Sequence, residues 1–349
     1  MLGLLVLAAA VWFGGHALDV PKRVRWGILG LLYLAVLAGL WLSPDALGPR
    51  LGGGAGEWLV LGVAGLAIWA YSKLLRRLRT RAQPDAPQTQ STTFSETELD
   101  RYARHIVMHD IGGAGQKRLR EARVLVIGAG GLGAPVLQYL GAAGVGTLGV
   151  IDDDLVENSN LGRQVLHKDR SIGTPKVFSA EAELLAQNPH ITVRPYHRRL
   201  DADCAADLFA DYDLVLDGSD NFDTRYLVNR TAHATKTPLI SGALTQWEGQ
   251  VALFDYQPGS ACYECVFPTR PTAGQVLSCA EAGVLGPLPG VVGSMMAVEA
   301  IKQITRAGET LRGRMVIYDA LYASSREIKL LPRADCPVCG EEKAKENNV

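Results

Sequence analysis

A glycine-rich turn between two hydrophobic segments carries the clearest chemistry in this sequence. Residues 124–127 have the composition of a buried strand and run directly into the GAGGLG turn at residues 128–133, a GxGxxG pattern. An apolar helical segment follows, and a second predicted strand, residues 147–151, ends at Asp152. Glycines let the backbone approach a phosphate, the start of the helix offers unpaired N–H groups, and the acid can accept from a ribose hydroxyl. The pattern predicts a nucleotide site, and taken alone it would indicate an NAD enzyme.

The polar residues after Asp152 favour a nucleoside triphosphate instead. Asn160, Arg163 and Gln164 follow in one short segment, and Lys176 comes after a Gly-Thr-Pro turn. Arginine and lysine beside a glycine turn neutralise the charge that builds up on bridging phosphate oxygens. The further acids at positions 153, 154 and 157 are, from the residues alone, also typical of a solvated turn.

A second acidic loop follows another short predicted strand, residues 214–216. It contains Asp217, Asp220 and Asn221. Ligands of open α/β sheets bind beyond the carboxyl ends of the strands, and a carboxylate at that edge can hold Mg²⁺ against phosphates. Spacing alone favours equally an aspartate that caps the next helix, so both interpretations of Asp220 stay open at this point.

Four of the 6 cysteines form two CxxC pairs, Cys262 with Cys265 and Cys336 with Cys339. Two such pairs in a cytoplasmic chain fit a structural zinc site with cysteine ligands. Because the pairs are far apart in the sequence, the site would join distant segments. Redox dithiols or a disulfide are the alternatives, although disulfides are rare in the cytoplasm.

The two remaining cysteines are less informative. Cys204 lies in an alanine-rich helical stretch, where an ordinary buried thiol is the simplest interpretation. Cys279 follows a stretch rich in proline, glycine and threonine. It would be a nucleophile if it were exposed near positive charge, but the sequence shows neither condition.

The elements that must position these residues alternate between strand and helix patterns, which predicts an α/β fold. Ser95 and Glu98 form a capping box at the start of a helix that carries Arg104. On its own, Arg104 is typical of a solvated surface residue. Further helices are predicted at residues 176–187 and 289–305, and further strands at residues 191–196, 238–241, 249–256 and 314–318.

Composition bounds the rest of the chain. The 349 residues suffice for one large domain or two, and a net charge of −1 implies no general attraction to nucleic acid. Hydrophobic residues make up 48% and charged residues 20% of the chain, and most of the apolar excess lies before residue 82. We expect residues 1–81 to form a separate segment and the polar, proline-containing residues 82–95 to be a linker.

The first 81 residues contain three apolar runs. Since roughly 17 to 25 helical residues cross a bilayer core, membrane spans are expected at about residues 2–18, 27–43 and 54–73. Basic residues lie in the first loop, with Lys22, Arg23 and Arg25, and in a cluster after the third run. The positive-inside rule then predicts a multi-pass protein of the inner (cytoplasmic) membrane with its catalytic domain in the cytoplasm. Buried helices of a soluble domain, or a signal peptide in place of the first run, are the alternatives.

Residues from about 95 to 341 resemble the MoeB/ThiF (HesA) family of sulfur-carrier adenylyltransferases, which are related to ubiquitin-activating enzymes. The resemblance rests on RYARHI, GAGGLG, SNLGRQ, DGSDN, CYEC, CAEAGVLGP and CPVCG, which occur in the family's order. It implies a Rossmann-like mixed sheet with helices on both faces over residues 96–341, followed by a disordered tail at residues 342–349. The three expected membrane spans are a departure from the family.

The resemblance also implies an activity and its partners. The enzyme would use ATP and Mg²⁺ to adenylate the C-terminal Gly-Gly carboxylate of a small ubiquitin-fold sulfur carrier, such as the small subunit of molybdopterin synthase or a ThiS-like protein, and would release pyrophosphate. It would be a homodimer with a Zn²⁺ site. The sulfurtransferase domain of some relatives does not follow Cys339, so sulfur is expected from a separate donor. Which carrier and pathway it serves stays open.

Functional residues of the family carry over by motif. Arg104 matches an arginine that reaches into the partner subunit's site, and Asp220 matches the essential acid that binds Mg²⁺. Cys279 matches a loop cysteine that in some members takes the carrier as a thioester or acyl-disulfide, and the four paired cysteines match the zinc ligands. The residues expected to bind the nucleotide, with Arg163, Lys176 and Asp220 also catalytic, are Gly131, Asp152, Ser159, Asn160, Leu161, Gly162, Arg163, Gln164, Lys176, Asp220 and Asn221.

Two other functions remain alternatives. One is ATP-dependent activation of another carboxylate or of a tRNA base, although relatives of that type generally lack the paired CxxC motifs. The other is a non-catalytic membrane scaffold that keeps the fold. Intact Arg104, Arg163, Lys176 and Asp220 argue against a scaffold, because its motifs would be free to degrade.

Overall fold

The computed structural model describes residues 11–14, 22–44, 46, 49, 54–60, 62–64, 71, 94–257, 259–270 and 282–340. The chain divides into two units, Met1–Thr92 and Thr93–Val349. Most of the expected linker, the loop that contains Cys279, and the expected tail at residues 342–349 lie outside the described residues.

Helix α1 (Lys22–Leu42) dominates the described part of the first unit. Its segment Val24–Leu42 has 19 residues, a mean hydropathy of 1.7 and only 11% burial. Among the described residues this is the one helix that is long and apolar enough to cross a membrane, so the expected set of three is not seen there. The expected span at residues 27–43 coincides with α1, whereas those at 2–18 and 54–73 fall largely on residues that are not described.

One eight-stranded mixed sheet forms the centre of the second unit. In chain order its strands are β1 (Arg123–Ile127), β2 (Thr147–Ile151), β3 (Thr192–Tyr196), β4 (Leu214–Asp217), β5 (Leu239–Leu244), β6 (Glu248–Phe254), β7 (Arg314–Asp319) and β8 (Ser324–Lys329). Their spatial order is β3-β2-β1-β4-β5-β6-β7-β8. The pairs from β3 to β5 are parallel, and those from β5 to β8 are antiparallel. The mixed sheet implied by the family resemblance is therefore confirmed.

Helices connect the parallel strands and cover the sheet. They are α2 (Glu96–Ile106), α3 (Gly112–Glu121), α4 (Gly133–Ala143), α5 (Lys176–Gln187), α6 (Ala202–Ala210), α7 (Phe222–Thr235), α8 (Tyr263–Val266) and α9 (Leu288–Thr305). Short 3₁₀ turns lie at Asn158–Asn160 and Asp169–Ser171. The capping box predicted before α2 is present, because Ser95 Oγ accepts from the Glu98 N–H while Glu98 accepts from the Ser95 N–H.

Strand β1 shows why the sheet is buried on both faces. Its residues alternate between two hydrophobic clusters, with Val124 and Val126 in one and Leu125 and Ile127 in the other. Helices α4, α5 and α9 supply side chains to the first cluster, and α6, α7 and α8 supply side chains to the second. A central parallel strand that is covered on both faces reads as a continuous hydrophobic run, as residues 124–127 do. Helices on both faces are therefore confirmed.

Candidate active site

The glycine turn joins β1 to α4 in a conformation that requires glycine. Gly128 has a φ of 88°, in the left-handed region. A Cβ on Gly133 would lie 1.8 Å from the carbonyl oxygen of Gly128, so only glycine lets the helix start this close to the strand. The N–H groups of Gly130 and Gly131 donate to no acceptor within the described part of the chain. They are available to an anion at the start of α4.

Asp152 lies at the end of β2 and already supports the glycine turn. Its Oδ2 accepts from the N–H of Ala129 at 2.7 Å, and its Oδ1 accepts from the N–H of Asp154 at 2.8 Å. Burial raises the pKa of Asp152, and the nearby Lys176 ammonium acts in the opposite direction. The predicted ribose-binding acid therefore also has a structural part, which is to orient the turn.

Lys176, the first residue of α5, has an ion-pair partner that the sequence interpretation missed. Its Nζ lies 2.6 Å from Asp154 Oδ2, and the lysine side chain is buried. The sequence interpretation left the acids after Asp152 as possible members of a solvated turn. The structure shows that Asp154 neutralises the lysine expected to meet phosphate.

The first 3₁₀ turn and the residues after it carry the predicted nucleotide residues Asn160, Arg163 and Gln164, and Gln164 lies beside the glycine turn. Asn160 is buried, and its Oδ1 accepts from the N–H of Glu157. Arg163 is half-buried, and its Nη1 donates to the Ser159 carbonyl. Gln164 is 3% exposed. It lies beside the glycine turn, because a Cβ added to Gly130 would be 3.6 Å from its Nε2. Its Oε1 is buried and accepts no hydrogen bond from the described residues. A buried acceptor beside a glycine turn fits a bound nucleotide, whose hydroxyl and amino groups can donate to it.

A buried ion pair holds the loop that contains Asp220. Asp217 Oδ1 accepts from the N–H and Oγ of Ser219, and Asp217 Oδ2 lies 3.7 Å from Arg225 Nη1. Arg225 also donates to the carbonyls of Ser219 and Gly242 and to Ser241 Oγ. Both charged side chains are nearly inaccessible to solvent.

Asp220 itself is an exposed residue of this loop. Asn221, and not Asp220, caps α7, because its Oδ1 accepts from the Thr224 N–H at 2.9 Å. The capping interpretation of Asp220 is therefore wrong. The residue is exposed, and its carboxylate has no hydrogen bond or ion pair with the residues that the structure describes. An exposed, unpaired carboxylate at the end of a parallel strand fits Mg²⁺, which prefers such ligands together with water and phosphate oxygens.

Most predicted nucleotide residues thus meet at the carboxyl ends of β1, β2 and β4. The Gly128 turn and the Asp220 loop touch, since a Cβ on Gly128 would lie 3.3 Å from the Gly218 carbonyl oxygen. Asp152 bonds to the turn directly, and Gln164 packs beside it. Their roles in nucleotide binding stay predictions, and Cys279 lies outside the described residues.

Arg104 lies in the last turn of α2 and is exposed. No hydrogen bond or ion pair of its side chain occurs within the part of the chain that the structure covers. Val107 and Met108 beside it expose 77% and 47% of their surface. A free cation next to exposed apolar residues is compatible with the solvated-surface interpretation and with the partner-site interpretation.

The four paired cysteines converge in the second hydrophobic cluster. Cys262 Sγ lies 3.5 Å from Cys336 Sγ, and Cys265 Sγ lies 3.3 Å from Cys339 Sγ. All four sulfur atoms lie within 4.8 Å of one another. A disulfide has a bond of about 2.05 Å, so the structure holds none here. Sulfur ligands at about 2.3 Å from a tetrahedral zinc are separated by roughly 3.8 Å, and the cluster therefore fits zinc.

Helix α7 anchors the cysteine cluster. Asn229 Nδ2 lies 3.9 Å from Cys262 Sγ, and Asn229 Oδ1 accepts from the N–H of Tyr263. The buried Glu264, within the first CxxC pair, accepts from Arg230 at 2.8 Å. Because α7 starts two residues after Asp220, the same helix borders both sites.

The fold and these two sites are those of the Rossmann-like α/β class, with a four-cysteine cluster that could bind zinc. The sequence matches the model of the ThiF family over residues 102–338. The chain belongs to the ThiF family.

Curated relatives agree with this assignment. The chain is 49% identical to the sulfur carrier protein adenylyltransferase of Thermus thermophilus, over 71% of this chain and 93% of that protein. It is 49% identical to the SAMP-activating enzyme E1 of Haloferax volcanii, over 71% of this chain and 92% of that protein. It is 45% identical to the molybdopterin-synthase adenylyltransferase of Escherichia coli, over 71% of this chain and 99% of that protein.

Solved structures with the same fold include PaaA and MccB. PaaA aligns with a TM-score of 0.61 at 23% identity, over 75% of this chain and 82% of that one, and shows the fold alone. E. coli MccB crystallised with ATP aligns with a TM-score of 0.61 at 25% identity, over 70% of this chain and 75% of that one.

Proposed function

We propose that this enzyme adenylates the C-terminal Gly-Gly carboxylate of a ubiquitin-fold sulfur carrier. The observation that carries the proposal is the contact between the glycine turn, with its unpartnered Gly130 and Gly131 N–H groups, and the loop that presents the unpaired Asp220 carboxylate. The names of the relatives, which are adenylyltransferases of sulfur carriers and of molybdopterin synthase, support the same chemistry.

In the proposed reaction, a carboxylate oxygen of the carrier attacks the α-phosphorus of ATP. A new P–O bond forms, the bond from the α-phosphorus to the bridging oxygen breaks, and pyrophosphate leaves with the electron pair. The nucleophile is already ionised, so no general base is required. Catalysis is then a matter of position and charge.

Residues of this chain supply that position and charge. The turn N–H groups and the start of α4 bind phosphate oxygens, and Arg163 and Lys176 neutralise charge on them. Lys176 has to exchange Asp154 for a phosphate oxygen as the nucleotide binds, because the two side chains are paired at 2.6 Å. The acceptor of Gln164, which has no donor of its own, takes a hydrogen bond from the nucleotide. Asp220 is the residue that would hold Mg²⁺, and the bound ion would neutralise the departing pyrophosphate.

In this proposal zinc has a structural role and no catalytic one. Cys262, Cys265, Cys336 and Cys339 would hold the ion and join α8 to the residues after β8, which are distant in sequence. With four sulfur ligands the coordination shell would be closed, so the ion would have no open position for a substrate.

A homodimer is also part of the proposal. The outer faces of α4 and α9 form an open groove of 780 Å³ whose lining is mainly apolar and includes Tyr139, Val291 and Val298. These three side chains are 40–56% exposed. Contiguous exposed apolar surface is typical of a protein interface, so a second copy of this chain is the proposed occupant. The family resemblance, and not this groove, is the basis for proposing that Arg104 reaches into the partner subunit's site.

The proposed location is the inner (cytoplasmic) membrane, with residues 1–81 as a three-span anchor and the catalytic domain in the cytoplasm. The apolar, largely unburied segment Val24–Leu42 and the basic residues before it support this. We expect the full chain to remain in the membrane pellet after an alkaline carbonate wash. Release into the supernatant would contradict the anchor and leave the enzymatic proposal intact.

ATP–pyrophosphate exchange tests the activity. The purified full chain should catalyse exchange with the molybdopterin-synthase small subunit and not with the same carrier lacking its last two glycines. Asp220→Asn should lower the rate by roughly a hundredfold or more. Asp223→Asn is the matched control, because its carboxylate pairs with Arg270 at 2.6 Å and not with the site.

Exchange that does not depend on the Gly-Gly end would contradict the carrier assignment and favour another carboxylate or a tRNA base as the acceptor of the adenylate. Absence of exchange under all of these conditions would contradict the assignment of this carrier and favour the non-catalytic scaffold.

A further inference from the structure

His167 is a buried residue in contact with the glycine turn, and nothing above gives it a role. It is 3% exposed. Its Nε2 lies 2.8 Å from the carbonyl oxygen of Ala129, inside the turn, and its Nδ1 lies 2.9 Å from Ser179 Oγ on α5. One imidazole therefore joins the turn to the helix that begins with Lys176.

These two contacts determine the tautomer of the ring. A carbonyl oxygen can only accept, so Nε2 must carry the proton and donate to Ala129. In a neutral imidazole Nδ1 is then an acceptor, and Ser179 Oγ–H donates to it. Burial, with the charge of Lys176, lowers the pKa of His167 and favours this neutral form.

The bond to Ala129 determines where the next N–H group points. In a planar trans peptide the C=O and the following N–H point in opposite directions. With the Ala129 carbonyl held by His167, the Gly130 N–H has to point away from the ring. That N–H has no acceptor among the described residues, as expected for a group that faces a ligand.

Ala129 is held from both sides. Its N–H donates to Asp152 Oδ2 at 2.7 Å while its carbonyl accepts from His167. The peptides before and after this residue are therefore fixed, and neither can rotate without breaking one of these two hydrogen bonds.

The Ser179 contact extends this fixation to the lysine. Lys176 and Ser179 are both on α5, three positions apart, and therefore lie on the same face of the helix. Through His167, the helix that carries the ammonium group is tied to the turn that carries the phosphate-binding N–H groups.

We propose that His167 is a positioning residue for ATP. Its Nε2–H tautomer, fixed by Ser179, orients the Ala129–Gly130 peptide so that the Gly130 N–H faces the phosphates. The same ring holds the turn at a fixed position relative to Lys176. The inference rests on the proposed nucleotide site, but it concerns how that site is assembled and not which carrier is adenylated.

Two nearly isosteric substitutions separate the two contacts. In His167→Gln the side-chain NH₂ group takes the place of Nε2 and can still donate to Ala129. In His167→Asn the shorter amide takes the place of Nδ1, so it reaches Ser179 and leaves the Ala129 carbonyl without a donor. A role limited to filling the core predicts that the smaller asparagine lowers the stability more than the glutamine does, with no selective change in the KM for ATP.

We expect His167→Asn to raise the KM for ATP in carrier-dependent exchange by about tenfold or more, with a smaller fall in kcat, and His167→Gln to stay within about threefold of the wild type. Calorimetric titration of the full chain with ATP and Mg²⁺ should show the same order of affinities. In the wild type, the ¹⁵N shift of His167 Nδ1 should be that of an unprotonated ring nitrogen.

Equal KM values for the two variants, or an Nδ1-protonated ring in the wild type, would overturn the inference. If His167→Asn does not fold, Ser179→Ala replaces it, since it removes the donor to Nδ1. It should raise the KM for ATP and mix the tautomers, and an unchanged KM and tautomer would again overturn the inference. A wild-type chain that binds ATP in the calorimeter but shows no carrier-dependent exchange would contradict the proposed function and leave His167 testable by binding alone.

Discussion

Lys176 Nζ and Asp154 Oδ2 form an ion pair of 2.6 Å in which the lysine is buried and the aspartate is 65% exposed. The cation expected to meet a triphosphate therefore has an anionic partner before any nucleotide arrives. ATP has to compete with this carboxylate, so Asp154 keeps the buried charge compensated and at the same time weakens the affinity for nucleotide.

Asp154→Asn should therefore bind ATP several-fold more tightly and unfold more easily. The carboxylate no longer competes for Lys176, but the free enzyme keeps a buried ammonium without a counter-charge, at a cost of about 1–3 kcal/mol. Calorimetric titration with ATP and chemical denaturation measure the two effects.

Asp153→Asn is the control for this prediction. It removes the same charge from the neighbouring position, where the side chain is exposed and pairs with no described residue. If both substitutions tightened ATP binding equally, net charge and not the pair with Lys176 would be responsible.

The buried pair of Asp217 and Arg225 gives a second prediction. Arg225→Lys keeps the charge, but an ammonium cannot reach Ser219, Ser241 and Gly242 at once as the guanidinium does. We expect a loss of about 2–4 kcal/mol in the free energy of unfolding and a fall in kcat for exchange, since the loop under Asp220 loosens.

Arg198→Lys is the matched control, because Arg198 pairs with Asp201 at the surface and exposed pairs contribute only about 0–1 kcal/mol. Denaturation curves and exchange rates of the two variants test the difference. A stable Arg225→Lys enzyme with a wild-type kcat would show that the loop does not depend on the guanidinium.

Zinc content provides a third prediction. Cys336→Ser should lose the metal and several kcal/mol of stability, since binding to a structural site is coupled to folding. Cys204→Ser should keep equimolar zinc and the wild-type melting temperature, because Cys204 is not one of the four clustered cysteines. Metal analysis and thermal unfolding of both variants distinguish them, and retained zinc in Cys336→Ser would remove that residue from the ligand set.

Local patterns were sufficient for the centre of this fold. Strand β1 is a hydrophobic run, the glycine turn has its own signature, and α5 begins and ends where its pattern predicted. Strand β8 was not predicted, because its sequence SSREIK is exposed throughout and is a strand only through its pairing with β7. Helix α3 was missed because three of its ten residues are glycine, and tertiary contacts such as Gln116 Nε2 to the Ala143 carbonyl stabilise it instead.

The site shows the same limit. Motif residues were identified because their types and spacing carry chemistry. The residues that hold them in place through hydrogen bonds and ion pairs were not identified. His167 and Ala129 are 38 residues apart, and Lys176 and Asp154 are 22 apart. Only the crossovers of the parallel sheet bring such pairs together, and no local pattern encodes them. Asp154 was visible as an acid two residues after Asp152, but its partner was not.

The depressed pKa of His167 gives the last prediction, which concerns stability against pH. Burial is the main cause, Lys176 and Lys168 act in the same direction, and the bond to Ala129 and the charge of Glu183 oppose them. Above a pH of about 6.5 the ring is neutral in both folded and unfolded chains and contributes no pH dependence. Below that pH the unfolded chain takes up a proton that the folded chain does not. The free energy of unfolding therefore decreases as the pH is lowered, by up to about 1.4 kcal/mol per pH unit, until the pH reaches the folded pKa of His167. His167→Gln lacks this titration, so its denaturation midpoints should fall less steeply below pH 6.5. Parallel curves for the two proteins would show that His167 titrates as it does in the unfolded chain.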